Sequence, residues 1–241
     1  MAAPRSGGGF ADKAGKVAVT GSFGFTGRAL TERLLAAGHD VVTLTRRSGI
    51  GDPLAGRVSV RPFTGTSGEQ LAADLAGVDT LFNTLWLRFP RGGATFEGAV
   101  ARSAELLAAA RAAGVRRVVH VSVVNAAADA ATPYVRSKAA LEAVVRASGL
   151  EWAIVRPTLT YGENDILINN LAWALRRLPV YGMPGFGRYT VQPVHVDDVA
   201  RICIEAAAGP PGVVLDAAGP DRARDRAPPR SDGARRRAHP R

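Results

Sequence analysis

Residues 16–45 read KVAVTGSFGFTGRALTERLLAAGHDVVTLT, and this stretch decides the fold. Lys16–Thr20 is a short run rich in valine, with the composition of a strand. Glycines at 21, 24 and 27 follow it. From Phe25 to Ala37 the apolar residues recur at helical spacing, and Gly38 is placed to end the helix. Asp40–Thr45 then reads as a second strand. The unit is strand, glycine turn, helix, strand.

The same alternation runs on through the chain. Strands are predicted over Arg57–Pro62, Asp79–Asn83, Arg117–Ser122 and Trp152–Arg156, with helices over Glu69–Leu75, Phe96–Ala113 and Tyr134–Ser148. Strands that alternate with helices give a parallel sheet covered on both faces, so the expected fold is α/β, doubly wound and Rossmann-type. Residues 1–14 are expected to be a flexible N-terminus and 15–162 the main domain. Residues 163–221 break the rhythm and are expected to form a small C-terminal cap, some of whose elements return to the sheet.

Composition narrows the function classes. The chain has 241 residues, 46% hydrophobic and 22% charged, which is globular and not disordered. Its single cysteine, Cys203, excludes an internal disulfide and a cysteine-based zinc cluster, and its apolar setting predicts an inert core thiol. No uncharged apolar run approaches the roughly 18 residues of a membrane span, and no secretory leader is visible. A cytoplasmic location is expected. The net charge of +10 points first to nucleic acid, but residues 222–241 hold eight Arg against two Asp. Six of the ten charges therefore belong to a segment with no hydrophobe larger than alanine, expected to be a disordered basic tail. Nucleic acid is the disfavoured partner, and a small-molecule substrate the favoured one. The Arg/Pro/Ala mix of this tail reads either as a GC-rich gene translated out of frame or as a genuine basic extension.

The glycine turn carries the first chemistry. Gly21-Ser22-Phe23-Gly24-Phe25-Thr26-Gly27 has the spacing G-x-x-G-x-x-G between a strand and a helix. Gly21 permits the turn, Gly24 admits a pyrophosphate to the backbone, and Gly27 lets helix and strand close together. The helix start offers unpaired N–H donors to the phosphates. Ser22 and Phe25 flank this contact. An NAD site usually places a carboxylate at the end of the second strand, about 20 residues after the glycines. Here Arg46 and Arg47 stand there instead. Guanidinium groups suit a 2′-phosphate, so NADP is favoured and NAD stays open.

Tyr134-Val135-Arg136-Ser137-Lys138 supplies a Y-x-x-x-K at the start of a helix. A spacing of four puts both side chains on one face. A nearby ammonium favours the phenolate, so the pair can move a proton beside a hydride transfer. The chain has only three lysines, and elsewhere its cations are almost all arginine.

These pieces resemble the short-chain dehydrogenase/reductase superfamily, above all its extended and atypical members, the NAD(P)-dependent epimerase/dehydratase-like and complex I accessory-subunit-like branch. The matching stretches are VTGSFGFTG (19–27), DTLFNT (79–84), RRVVHVS (116–122), YVRSK (134–138), VRPTLTYG (155–162) and QPVHVDDVA (192–200). The resemblance implies an NAD(P)-binding oxidoreductase or epimerase/dehydratase. It makes Tyr134 the acid/base and Lys138 its support, with Lys138 also on the ribose. It puts Asn83 and Thr84 along the cofactor groove, Ser122 near the cofactor, and Pro157 and Thr158 beside the nicotinamide. The family's substrate-orienting Ser or Thr falls on Val123, which has no hydroxyl. Asn125 is the nearby side chain able to donate in its place. That departure keeps a non-catalytic NAD(P)H-binding sensor or assembly factor as the alternative.

Two lesser groups of candidates remain. Trp86, Arg88 and Phe89 follow the fourth strand, where they either meet a ligand or pack under the cap. His195, Asp197 and Asp198 open a helix and read as caps in preference to metal ligands, so no metal is expected.

Overall fold

The computed structural model describes residues 14–63, 66–87, 89–90, 92–178, 190–220 and 223–224. Most of the expected N-terminal segment and basic tail, and Arg88, lie outside these residues.

The chain begins with β1 (Lys16–Thr20), α1 (Phe25–Ala36), β2 (Asp40–Thr45), β3 (Ser59–Pro62), α2 (Gly68–Asp74) and β4 (Thr80–Asn83). It continues with α3 (Phe96–Ala112), β5 (Arg117–Val121), α4 (Pro133–Ala147), β6 (Glu151–Pro157) and β7 (Leu159–Tyr161). Then come α5 (Ile166–Arg177), β8 (Thr190–Val191), β9 (Pro193–His195), α6 (Val196–Ala208), β10 (Val213–Ala217) and β11 (Ala223–Arg224).

Seven strands form one sheet in the order β10-β6-β5-β4-β1-β2-β3, and each of its six strand pairings is parallel. The order reverses between β1 and β4, which opens a crevice at the carboxyl ends of those two strands. Successive side chains point to opposite faces, so each strand feeds two cores. Val17 and Val19 face α1 and α6, whereas Ala18 joins Val42, Leu81 and Ile154 under α2, α3 and α4. This double burial explains why β1, β4 and β5 read as apolar runs without alternation.

The segment expected as a cap divides its elements. Within it α6 packs beside α1 on the sheet and contributes Val199, Ala200 and Cys203 to the core. The last strand of the sheet, β10, pairs with β6 from Val213↔Ala153 to Ala217↔Pro157. Outside the sheet stand α5, the β7–β9 pair and the antiparallel β8–β11 pair. Ala223 and Arg224, at the start of the basic tail, thus pair with Val191 and Thr190.

Arg117 ties α6 to the sheet. Its guanidinium is buried and donates to the carbonyls of Ala206, Ala207 and Gly209 at 3.1, 2.7 and 2.6 Å. The remaining donors meet Glu151 Oε2 at 2.9–3.0 Å. One cation therefore closes the carbonyl end of α6, where the helix dipole is negative. Arg117→Met keeps the side chain's bulk but strands those carbonyls. The expected loss is about 3 kcal/mol of unfolding free energy in urea titration, with the far-ultraviolet dichroism of the folded state unchanged.

Candidate functional site

The glycine turn leaves β1 with Gly21 at φ +73°, a conformation that glycine adopts without strain. Gly24 then donates its N–H to the Gly21 carbonyl at 2.8 Å. A Cβ on Gly27 would lie 2.2 Å from the Gly21 oxygen, so only glycine fits where α1 crosses the turn. The helix that starts here differs from the other α-helices described. Ser67, Thr95, Thr132, Asp165 and His195 each cap one of α2 to α6 by accepting a backbone N–H. At α1 the capping position is Gly24, no side chain caps the helix, and no acidic residue occupies the first turn. The positive end of α1 is left for an external anion.

The turn is held from behind by its own side chains. Ser22 is fully buried: its N–H donates to Thr43 Oγ1 at 3.1 Å, and its hydroxyl accepts from Thr31 at 2.8 Å. Across the crevice, Asn83 is also fully buried and accepts from Thr20 Oγ1 at 3.3 Å and from the Leu85 N–H at 3.1 Å. Thr84 donates its hydroxyl to the Thr20 carbonyl and its N–H to Thr20 Oγ1 at 2.8 Å. These bonds lock the ends of β1 and β4 together at the reversal point. Phe25 packs on the core, and its ring would lie 3.3 Å from a Cβ on Gly162. Arg46 and Arg47 are exposed beyond β2, with Arg47 Nη1 donating to the Phe23 carbonyl at 2.8 Å.

The tyrosine and lysine start α4, whose first residues are fixed by Pro133 and the Thr132 cap. Tyr134 is half-buried and Lys138 almost fully buried. Between them lies Trp86. Its indole meets Tyr134 edge-on, with centroids 5.9 Å apart, and stacks on Phe96 at 5.7 Å. Lys138 Nζ lies 4.3 Å from the centre of the same indole and donates to the Val121 carbonyl at 3.0 Å. Burial pushes Lys138 down to about 7, and the Glu142 charge resists that shift. A lysine so placed changes charge near neutral pH.

Glu142, one turn further along α4, had no place in the sequence reading. It accepts from Ser122 Oγ at 2.6 Å, from Arg156 at 2.8 and 2.6 Å, and from Arg146 at 3.1 Å. Burial alone would raise this carboxyl, but hydrogen bonds from Arg156 and Ser122 hold it below its usual range. The hydroxyl of Ser122 is thus spent on Glu142. The available signal was spacing, since Glu142 follows Lys138 by four residues and so shares its helical face. Beneath this group His120 is fully buried, and burial pushes it down to about 3.

Beside the ends of β5 and β6 opens a cleft of about 760 Å³, lined by Val124, Asn125, Thr158, Leu159, Thr190, Val191 and Gln192. Asn125 has φ +59°, the left-handed region that asparagine tolerates better than most residues. Pro157 is buried, and its carbonyl accepts the Val124 N–H at 3.0 Å. Thr158 donates its hydroxyl to the Gln192 carbonyl. His195 caps α6 through Nδ1, with Asp197 and Asp198 in the first turn. Cys203 is fully buried, and burial pushes its thiol up to about 12.

An uncapped helix behind a three-glycine turn at a topological switch point is an arrangement that suits the phosphates of a dinucleotide, and residues 21–210 match the family described as NAD(P)H-binding. The chain belongs to that NAD(P)H-binding family. Subunit 9 of the 1 alpha subcomplex of mitochondrial NADH dehydrogenase from Arabidopsis thaliana is 28% identical over 198 residues, 78% of this chain and 49% of the subunit. A farnesyl-dihydroquinoline-oxide ketoreductase of Stigmatella aurantiaca is 31% identical, covering 80% of this chain and 65% of the enzyme. Among solved structures, MoeE5 in complex with UDP-glucuronic acid and NAD is 28% identical with a TM-score of 0.69, covering 88% of this chain and 79% of its own. The chain spans 20% of the length of the mycobacterial relatives it matches. Among the described residues of this NAD(P)H-binding protein, no helix is long and apolar enough to cross a membrane.

Two outcomes are expected. Gly27→Ala should weaken NADPH binding at least about tenfold in a fluorescence titration, because the added carbon must push the Gly21 carbonyl out of the phosphate cradle. The second concerns Lys138, which releases its proton near pH 7 when folded and near 10.5 when unfolded. Between these values the unfolded chain binds the extra proton, so this group makes unfolding free energy rise with pH. Cys203 acts in the opposite sense above about pH 9, where only the unfolded thiol ionises. The rise between about pH 7 and 9 should therefore disappear in Lys138→Met, as measured by urea unfolding across pH.

Proposed function

We propose that this chain is an NADP-linked oxidoreductase domain of the epimerase, dehydratase or ketoreductase kind. In it, hydride passes between the nicotinamide and a substrate carbon that bears a hydroxyl or keto oxygen. The single observation that carries the reading is the arrangement of Tyr134 and Lys138 around the Trp86 ring, with Lys138 buried and titrating near 7. A lysine poised in this way can hold Tyr134 ready to give or accept a proton at neutral pH.

The cofactor supplies the hydride; the chain's own residues bind it and hold the proton. Gly21, Gly24 and Gly27 and the open start of α1 take the pyrophosphate. Arg46 and Arg47 favour a 2′-phosphate, which makes NADP the preferred form. Residues 15–162, joined by α6 and β10, form the cofactor side, and the cleft at Asn125, Thr158 and Gln192 takes the substrate. Ser22 and Ser122 act by shaping the site, because their hydroxyls already have protein partners, and Asn83 does so through Oδ1 while its buried Nδ2 has no partner among the described residues. Pro157 and Thr158 border the nicotinamide. Asn125 gives the substrate oxygen the hydrogen bond that Val123 cannot give.

A second reading, a domain that holds NAD(P)H without turnover, draws on Val123 and on the Ser122 hydroxyl being committed to Glu142. A complex I subunit among the relatives supports it.

Transfer of label from 4-deuterated NADPH to a carbonyl panel separates the two. Tyr134→Phe should lower transfer by about 100-fold or more while leaving NADPH affinity within about threefold. Tight binding with no transfer to any carbonyl would leave the second reading standing. In parallel, Arg46→Asp should abolish any preference for NADP over NAD in calorimetry, and an unchanged preference would reject the phosphate role of that arginine.

A further inference from the structure

The loop after β2 folds back onto the anion-binding end of α1. Asp52, six residues past Arg46, forms an ion pair with Arg28 on the first turn of α1, next to Gly27. The pair is partly shielded, with side-chain exposures of 28% and 19%. Asp52 Oδ1 accepts the Leu54 N–H at 3.0 Å, and its own N–H donates to the Gly49 carbonyl at 2.9 Å. Gly49, at φ +71°, lies flat against Phe23 of the glycine turn, where a Cβ would come within 2.6 Å of the ring. The Phe23 carbonyl in turn takes the Arg47 guanidinium at 2.8 Å. The Leu54 N–H, and after it Arg28, hold the Asp52 carboxyl below its usual range. A fixed negative charge thus lies among the arginines that border the expected ribose pocket.

We propose that Asp52 is a specificity-determining residue for the cofactor: an internal anion that occupies Arg28 and opposes a 2′-phosphate. The proposal rests on the dinucleotide reading of the site. NADP brings about −1.5 to −2 charges to this region and meets the carboxylate's repulsion. NAD brings a hydroxyl, which can donate to the carboxylate instead. Arg46 and Arg47 attract the phosphate, Asp52 repels it, and the cofactor preference is set by their balance. Arg28 keeps Glu32 as a second, exposed partner at 3.6 Å when Asp52 is neutralised.

The test is calorimetry of NADP and NAD on the full chain, with Asp52→Asn and Asp52→Ser. Both substitutions retain an oxygen for the Leu54 N–H, so the loop keeps its turn. Each should bind NADP about tenfold more tightly and NAD within about threefold of the parent. Adenosine 2′,5′-bisphosphate should follow NADP, and AMP should follow NAD. In the otherwise unchanged chain, Arg28→Met should weaken NADP and spare NAD, which keeps the idea testable should both Asp52 variants misfold. An NADP-to-NAD ratio that stays constant in the folded variants, or equal tightening of both cofactors, overturns the proposal. If cofactors bind and Arg46→Asp alone moves the ratio, only the role of Asp52 has failed. If the parent binds neither cofactor, the dinucleotide reading has failed and takes this one with it.

Discussion

The structure turns on a contact between two backbones. Gly27 crosses the Gly21 carbonyl so closely that no side chain fits between them. That approach fixes where α1 begins relative to β1, and hence where its uncompensated N–H groups point. Five other helices close their starts with a side-chain oxygen or nitrogen. This one leaves its start open, and the buried hydrogen bonds of Ser22, Thr31 and Thr43 pre-shape the turn. An anion that arrives finds donors already aimed, so little ordering entropy is lost on binding.

Around that fixed point the protein places its charges in depth. Glu142 is buried and shared by Arg146, Arg156 and Ser122, so α4, β5 and β6 are joined through one carboxylate. Lys138, one turn away on α4, is desolvated under Trp86. Its burial outweighs the Val121 carbonyl, the indole face and the Glu142 charge, all of which favour the ammonium, so it titrates near neutrality. On the opposite side, Arg117 performs a purely structural task at the end of α6. The same residue type lies exposed at Arg46, past the end of β2, and buried at Arg117, where it closes a helix.

Much of the fold was legible in the sequence. The valine run at 16–20, the three glycines and the helical spacing from Phe25 gave the first unit, and the alternation that followed gave a doubly wound sheet. Element ends agree to within one or two residues: the helix expected from Tyr134 starts at Pro133, and the strand expected from Trp152 starts at Glu151. The segment expected as a cap was harder to read. Local pattern shows that Val196–Ala208 is a helix, yet only packing shows that it lies beside α1 within the main core. A hydrophobic face has no label for the surface it will bury.

What the sequence alone determined is chemistry tied to local geometry. Glycine spacing, a tyrosine and lysine four residues apart, and the capping residues that open the helix after His195 act over one or two turns, so their meaning survives without the fold. Tertiary structure decided everything that depends on partners distant in the chain. It turned the Ser22 and Asn83 side chains inward, gave the Ser122 hydroxyl to Glu142, and brought Asp52 back to Arg28 across 24 residues. The physical reason is that charge and hydrogen bonding act through space, and the dielectric that sets their strength is created only when the chain packs.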